Sequence, residues 1–155
     1  MKPYCRNNPP LSMAIQVAGL QRLFGLGVTR WDRSHLCWRG VLSPTEFSRK
    51  YAVELKYLRN KPPDVYVREP NLMVLAGGRK LPHVYDQEKQ QLCLYLPGCG
   101  YWTPDKPLAS TVILWATLWL FHFEVWLVTD VFHGQGAHPV STKETSVLAN
   151  STVHN

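Results

Sequence analysis

The stretch Leu108–Val128 narrows the choice of fold more than any other part of this chain. It carries Val112, Ile113, Leu114, Trp115, Leu118, Trp119, Leu120, Phe121, Phe123, Val125, Trp126 and Leu127. A helix that is apolar on nearly every side belongs in a domain core or in a bilayer. The run is about long enough to span a membrane, which takes roughly 20 residues. His122 and Glu124 stand towards its C-terminal end, and a carboxylate inside a bilayer is expensive. The rest of the chain reads as a sheet that needs an apolar cover. The expectation is therefore a buried helix and no membrane, with a small membrane-anchored protein as the rival. If Glu124 is buried it needs a partner.

A length of 155 residues suits one domain with a real core. Apolar residues make up 45% and charged residues 18%, which excludes a wholly disordered chain. The net charge of +6 is uneven. Residues 1–50 hold eight Lys/Arg against two Asp/Glu, and residues 107–155 hold one against three. A basic first third suits an acidic partner or a plain solvated face. It has no run dense enough to argue for nucleic acid. The N-terminus, Met1-Lys2-Pro3-Tyr4-Cys5-Arg6, lacks the apolar run of a secretory signal. The expected setting is the reducing cytoplasm, with Cys5, Cys37, Cys93 and Cys99 as free thiols.

In chain order, residues 1–10 read as a polar arm, 11–139 as the domain and 140–155 as a flexible tail. Leu11 to Phe24 reads as a helix, with Met13, Val17, Leu20 and Phe24 on one stripe and Ser12 as N-cap. Gln16 falls on the opposite face, expected to be free for a partner. Leu36–Leu42 reads as a strand. Phe47–Leu58 reads as a second, because Tyr51, Val53, Leu55 and Tyr57 alternate with Ala52, Glu54 and Lys56. Asp64–Val67 is a third, and Asn71–Ala76 a possible fourth. Short turns between successive strands suggest an antiparallel meander. The fold class expected is α+β, with the long apolar helix packed on the sheet.

The segment Leu81–Pro104 is too irregular for plain core. Pro82-His83-Val84-Tyr85 leads into a polar loop, Asp86–Gln91, which ends at Leu92-Cys93-Leu94-Tyr95. Trp102-Thr103-Pro104 reads as a helix start, with Thr103 as N-cap and Pro104 in the first turn. A cysteine placed between sheet and helix, beside a histidine, is a nucleophile setting. Cys93 is otherwise a small core hydrophobe, and Cys99 a competing thiol. A zinc site from Cys37, His83, Cys93 and Cys99 lacks metal-ligand spacing, so no metal is expected.

Taken together, these motifs resemble the active-site signature of ubiquitin-conjugating enzymes. That signature is His-Pro-Asn-Val-Tyr, a short loop, Ile-Cys-Leu-Asp, and Trp-Ser-Pro. Upstream, Lys61-Pro62-Pro63-Asp64-Val65-Tyr66 is similar to the family's Lys-Pro-Pro-x-Val-x-Phe strand. The prokaryotic branch found in antiphage CBASS operons looks closer still, through Leu92–Tyr95, through Trp115, Trp119 and Trp126, and through Gly134 to Pro139. The resemblance implies a transferase of the stand-alone kind. It would hold the C-terminal acyl group of a cGAS/DncV-like nucleotidyltransferase as a cysteine thioester and pass it to target amines, without a cofactor. It implies Cys93 as nucleophile. Aligned on Pro-x-Val-Tyr, His83 takes the place of the family's asparagine, as a positioning or oxyanion donor. Leu81 stands where the family has histidine, Tyr95 replaces a loop acid, and the loop is one residue longer. A non-catalytic binding module of the same fold is the alternative, recruiting or regulating a partner protein.

Overall fold

A computed structural model describes residues 8–95 and 100–134. The expectations for most of the arm, for Cys5, Cys99, His138 and Pro139, and for the 140–155 tail lie outside the described residues. Helix α1 spans Met13–Leu23, with the Ser12 Oγ accepting from the Ile15 N–H at 3.3 Å. Its stripe, Met13, Val17 and Leu20, enters the core as the spacing required. Gln16 does not face outward. It is buried, and its side chain donates to the Lys106 carbonyl at 3.0 Å and accepts from the Leu108 N–H at 2.8 Å. An amide can sit inside because both of its ends are satisfied.

The sheet has six strands in the order β1-β2-β3-β4-β6-β5, all antiparallel. They are β1 Val28–Trp31, β2 His35–Leu42, β3 Tyr51–Leu58, β4 Asp64–Glu69, β5 Val84–Asp86 and β6 Gln91–Leu92. The first four form the meander. Along β3, Tyr51, Val53, Leu55 and Tyr57 face the core, as alternation demands. Two strand expectations are corrected. Asn71–Ala76 is not a strand but holds the short helix α2, Leu72–Leu75, because the Asn71 Oδ1 caps the N–H groups of Met73 and Val74. Phe47–Lys50 precedes β3 as a turn tied by Ser43, Thr45 and Ser48. The fourth strand of the meander is instead β1, at its other end.

Helix α3 spans Val112–Thr129. The helix expected from Thr103 starts eight residues beyond Pro104. The Thr103 hydroxyl donates to Asp105, and the Lys106 N–H closes a turn on the Thr103 carbonyl at 2.9 Å. α3 buries Val112, Ile113, Ala116, Trp119, Leu120, Phe123 and Trp126 against the domain, so it is a core helix. Its length and composition alone would also suit a membrane crossing. Glu124 is half-buried and well partnered. Its carboxylate accepts from the Ser48 hydroxyl at 2.6 Å, the Tyr51 hydroxyl at 2.8 Å and the Arg49 N–H at 3.2 Å. Burial, then the Glu124 hydrogen bond, pushes the Tyr51 phenol far above its usual range. At the far end, Arg79 lies over the Trp126 ring at 4.3 Å and pairs with Asp130.

Candidate functional site

The site grows from the short hairpin β5–β6. Asp86–Gln90 forms its turn, and the Gln87 side chain clamps the Leu81 backbone through two hydrogen bonds of 2.9 Å. Gln90 takes a left-handed φ of 54° and buries its amide among Leu72, Val67 and Pro70. With both flanks held, the strand pairing runs one residue further. The Cys93 N–H donates to the His83 carbonyl at 3.0 Å. The Trp119 indole N–H donates to that same carbonyl, also at 3.0 Å. One oxygen therefore ties the cysteine to both the hairpin and α3.

Cys93 is a free, half-buried thiol. It lies in a groove of about 260 Å³ walled by Leu94, Trp115, Leu118 and Trp119, with His122 and Gly134 at its edge. Its sulfur is 3.9 Å from the Tyr95 carbonyl. Tyr85 is 51% exposed, yet its hydroxyl tucks in to donate to that carbonyl at 2.8 Å. Burial first, then the adjoining Cys93 sulfur, raises the Tyr85 phenol well above its usual range, so it stays a donor. Tyr95, where a loop acid was expected by resemblance, packs edge-on against Trp115 at 5.6 Å. Burial and the charge of Asp64 push its phenol up to about 12. Trp102 is buried, edge-on to Tyr57 at 5.5 Å.

His83 adopts a left-handed φ of 46°. Its backbone reaches Cys93, while its ring stacks on Phe132 at 5.0 Å. Cys37 is half-buried on the outer face of β2. His133 sits just past α3, beside Phe132 and Gly134, where the chain turns back towards the groove. Among the described residues no cluster of three metal-ligating side chains occurs. His122 was read only as an argument against a membrane span, yet it faces the thiol's groove. The signal was present: Trp115, Leu118, Trp119 and His122 lie at i, i+3, i+4 and i+7, one face of a helix.

A thiol at the mouth of an apolar groove, beside a tyrosine hydroxyl, can carry an acyl group. No curated protein matches the chain. The family model of the type II CBASS E2 protein matches residues 16–139, which takes in most of α1, the whole sheet, the cysteine segment and α3. The helix, the antiparallel sheet, the cysteine loop and the apolar helix now have one explanation: this chain belongs to the type II CBASS E2 family, as an E2-like protein of CBASS antiviral defence.

Proposed function

We propose that Cys93 holds a C-terminal acyl group as a thioester and passes it to an amine. The observation that carries this reading is the free thiol at the apolar groove, with its amide pinned to the His83 carbonyl. The sulfur attacks an activated acyl carbonyl and displaces its leaving group. The amine then forms the C–N bond, and the thiolate leaves with the C–S electron pair. His83 positions the nucleophile through its backbone, and the Tyr85 hydroxyl is a second donor beside the sulfur. The acyl donor is the C-terminus of a cGAS/DncV-like nucleotidyltransferase, the acceptors are amines of target proteins, and the setting is the cytoplasm. Residues 11–139 are the working domain, flanked by the arm and the tail.

The test mixes the protein with a cGAS/DncV-like nucleotidyltransferase of a CBASS system and follows adducts on non-reducing gels. A thiol-sensitive adduct followed by a thiol-resistant one is expected, both lost in Cys93→Ala. Persistence of both in that variant removes Cys93 from the role. An exposed row on α3, Leu114, Leu118 and Phe121, favours a second reading, a recruiting module. Partner binding without any Cys93 adduct would select it.

A further inference from the structure

We propose that His122 is the base that takes the proton from the amine attacking the Cys93 thioester. This rests on the transferase reading above. Among the described residues lining the groove, His122 is the one titratable side chain besides Cys93 itself. The other walls, Leu94, Trp115, Leu118 and Trp119, offer an ammonium ion nothing to give its proton to. An amine of the lysine class reaches the site mostly protonated, with a pKa near ~10.4, and must lose a proton to become a nucleophile. It must lose another once the C–N bond has formed. The acceptor has to stand in the groove, within reach of the acyl carbon.

The imidazole is held there. It lies edge-on to Phe121 at 5.5 Å and tilted against Phe132 at 5.9 Å. A Cβ at position 134 would strike the Phe132 ring at 2.4 Å and crowd the His122 ring at 3.3 Å, so Gly134 leaves room for Phe132 to pack against His122. Of the titratable groups around it, Cys93 faces it across the groove and His133 from the segment after α3. His83 stacks on the same Phe132 ring that His122 tilts against, and the Glu124 carboxylate is engaged by Ser48 and Tyr51. Burial, then the charge of His133, holds the imidazole below its usual range, which favours the neutral, proton-accepting form. In the step, the amine nitrogen bonds to the acyl carbon and its proton passes to the imidazole. The C–S bond breaks towards sulfur, and the imidazolium returns its proton to the thiolate or to solvent.

The test loads Cys93 by exchange with a fluorescent peptide thioester, then adds glycinamide. His122→Gln is expected to load within twofold of the parent and to discharge to glycinamide on the order of 100-fold more slowly. Hydroxylamine, a weakly basic nucleophile, should discharge both at similar rates. The ratio of parent to variant glycinamide rates cancels the amine's own ionisation. It should rise with pH through a midpoint below the usual imidazole value of ~6.5 and then level off. An unchanged discharge rate, or a ratio flat with pH, overturns the role of His122 and leaves the transferase reading intact. Failure of the parent to load at Cys93 overturns both. If His122→Gln misfolds, His122→Ala with added imidazole decides: restored transfer supports the role, and no restoration overturns it.

Discussion

Cys37 and Cys93 are both free and both half-buried, yet they live in opposite surroundings. Cys37 lies in the middle of β2, on the outer sheet face. Arg30 and Lys56 stand opposite it on the neighbouring strands, and Arg39 lies two residues along. The immediate surroundings of this sulfur are therefore cationic. The groove it lines together with His35 is rimmed by charge, from Arg30, Asp32, Lys56, Lys61 and Asp64. Cys93 has fewer charges near it: its groove is walled by Leu94, Trp115, Leu118 and Trp119, with a tyrosine hydroxyl and His122 close by. The contrast separates two properties that are easily merged. Charge makes a sulfur reactive towards small reagents; a shaped, partly dry surface with a proton acceptor makes it a station for group transfer.

The largest expected effect in this comparison comes from Glu124→Ala. It removes the partner of three donors and leaves the buried Tyr51 hydroxyl unsatisfied, at a cost of about 3 kcal/mol. Chemical denaturation measures the loss. Peptide-thioester exchange at Cys93 should fall with the docking of α3, while iodoacetamide labelling of Cys37 holds. Next is Trp119→Phe, which deletes one hydrogen bond to the His83 carbonyl, worth about 1 kcal/mol. Labelling rates resolved by peptide mass should change several-fold at Cys93 and not at Cys37. Equal changes at both would erase the distinction.

The smallest effect lies on the Cys37 side. Glu54 is 1% exposed beneath Arg39, Arg68 and Lys56. Burial would raise its pKa, but hydrogen bonds from Arg68 and Arg39 and the charges of Arg68 and Lys56 bring it down to about 2. A carboxyl lowered in the folded state stabilises fully above its unfolded value near ~4.5, and that stability is lost as pH falls towards the folded value. Glu54→Gln should therefore flatten the acid limb of stability over that window, with little change in Cys93 exchange.

What could be read from the residues followed local patterning. The period of two in Tyr51–Leu58 and the stripe in Met13–Leu23 each state which face is buried, and the fold obeys them. β1 was missed because Val28–Trp31 is four residues long and mostly exposed, too short to show a period. Asn71 decided for helix by a side-chain cap, against the strand preference of Val74. Thr103 had the identity of a cap but spent its hydroxyl on Asp105. Gln16 was the hardest to foresee, since its partners lie 90 and 92 residues away at Lys106 and Leu108. The cysteine segment was legible because its residues sit within one motif. The helical spacing put His122 on one face with Trp115 and Trp119, but its place in the groove of Cys93 exists only once α3 is laid beside the hairpin.

The oxygen of residue 83, shared between a sulfur-bearing loop and an indole, sets where this lineage can lengthen. The two ends of the connection are fastened, at Gln90 on one side and Leu81 on the other, while Glu88 and Lys89 stand out in water. The additional residue relative to the usual signature is thus free to loop outward at the tip. Insertions there should leave the spacing at the sulfur unaltered, so the hairpin can vary at its tip while the groove beneath it stays in place.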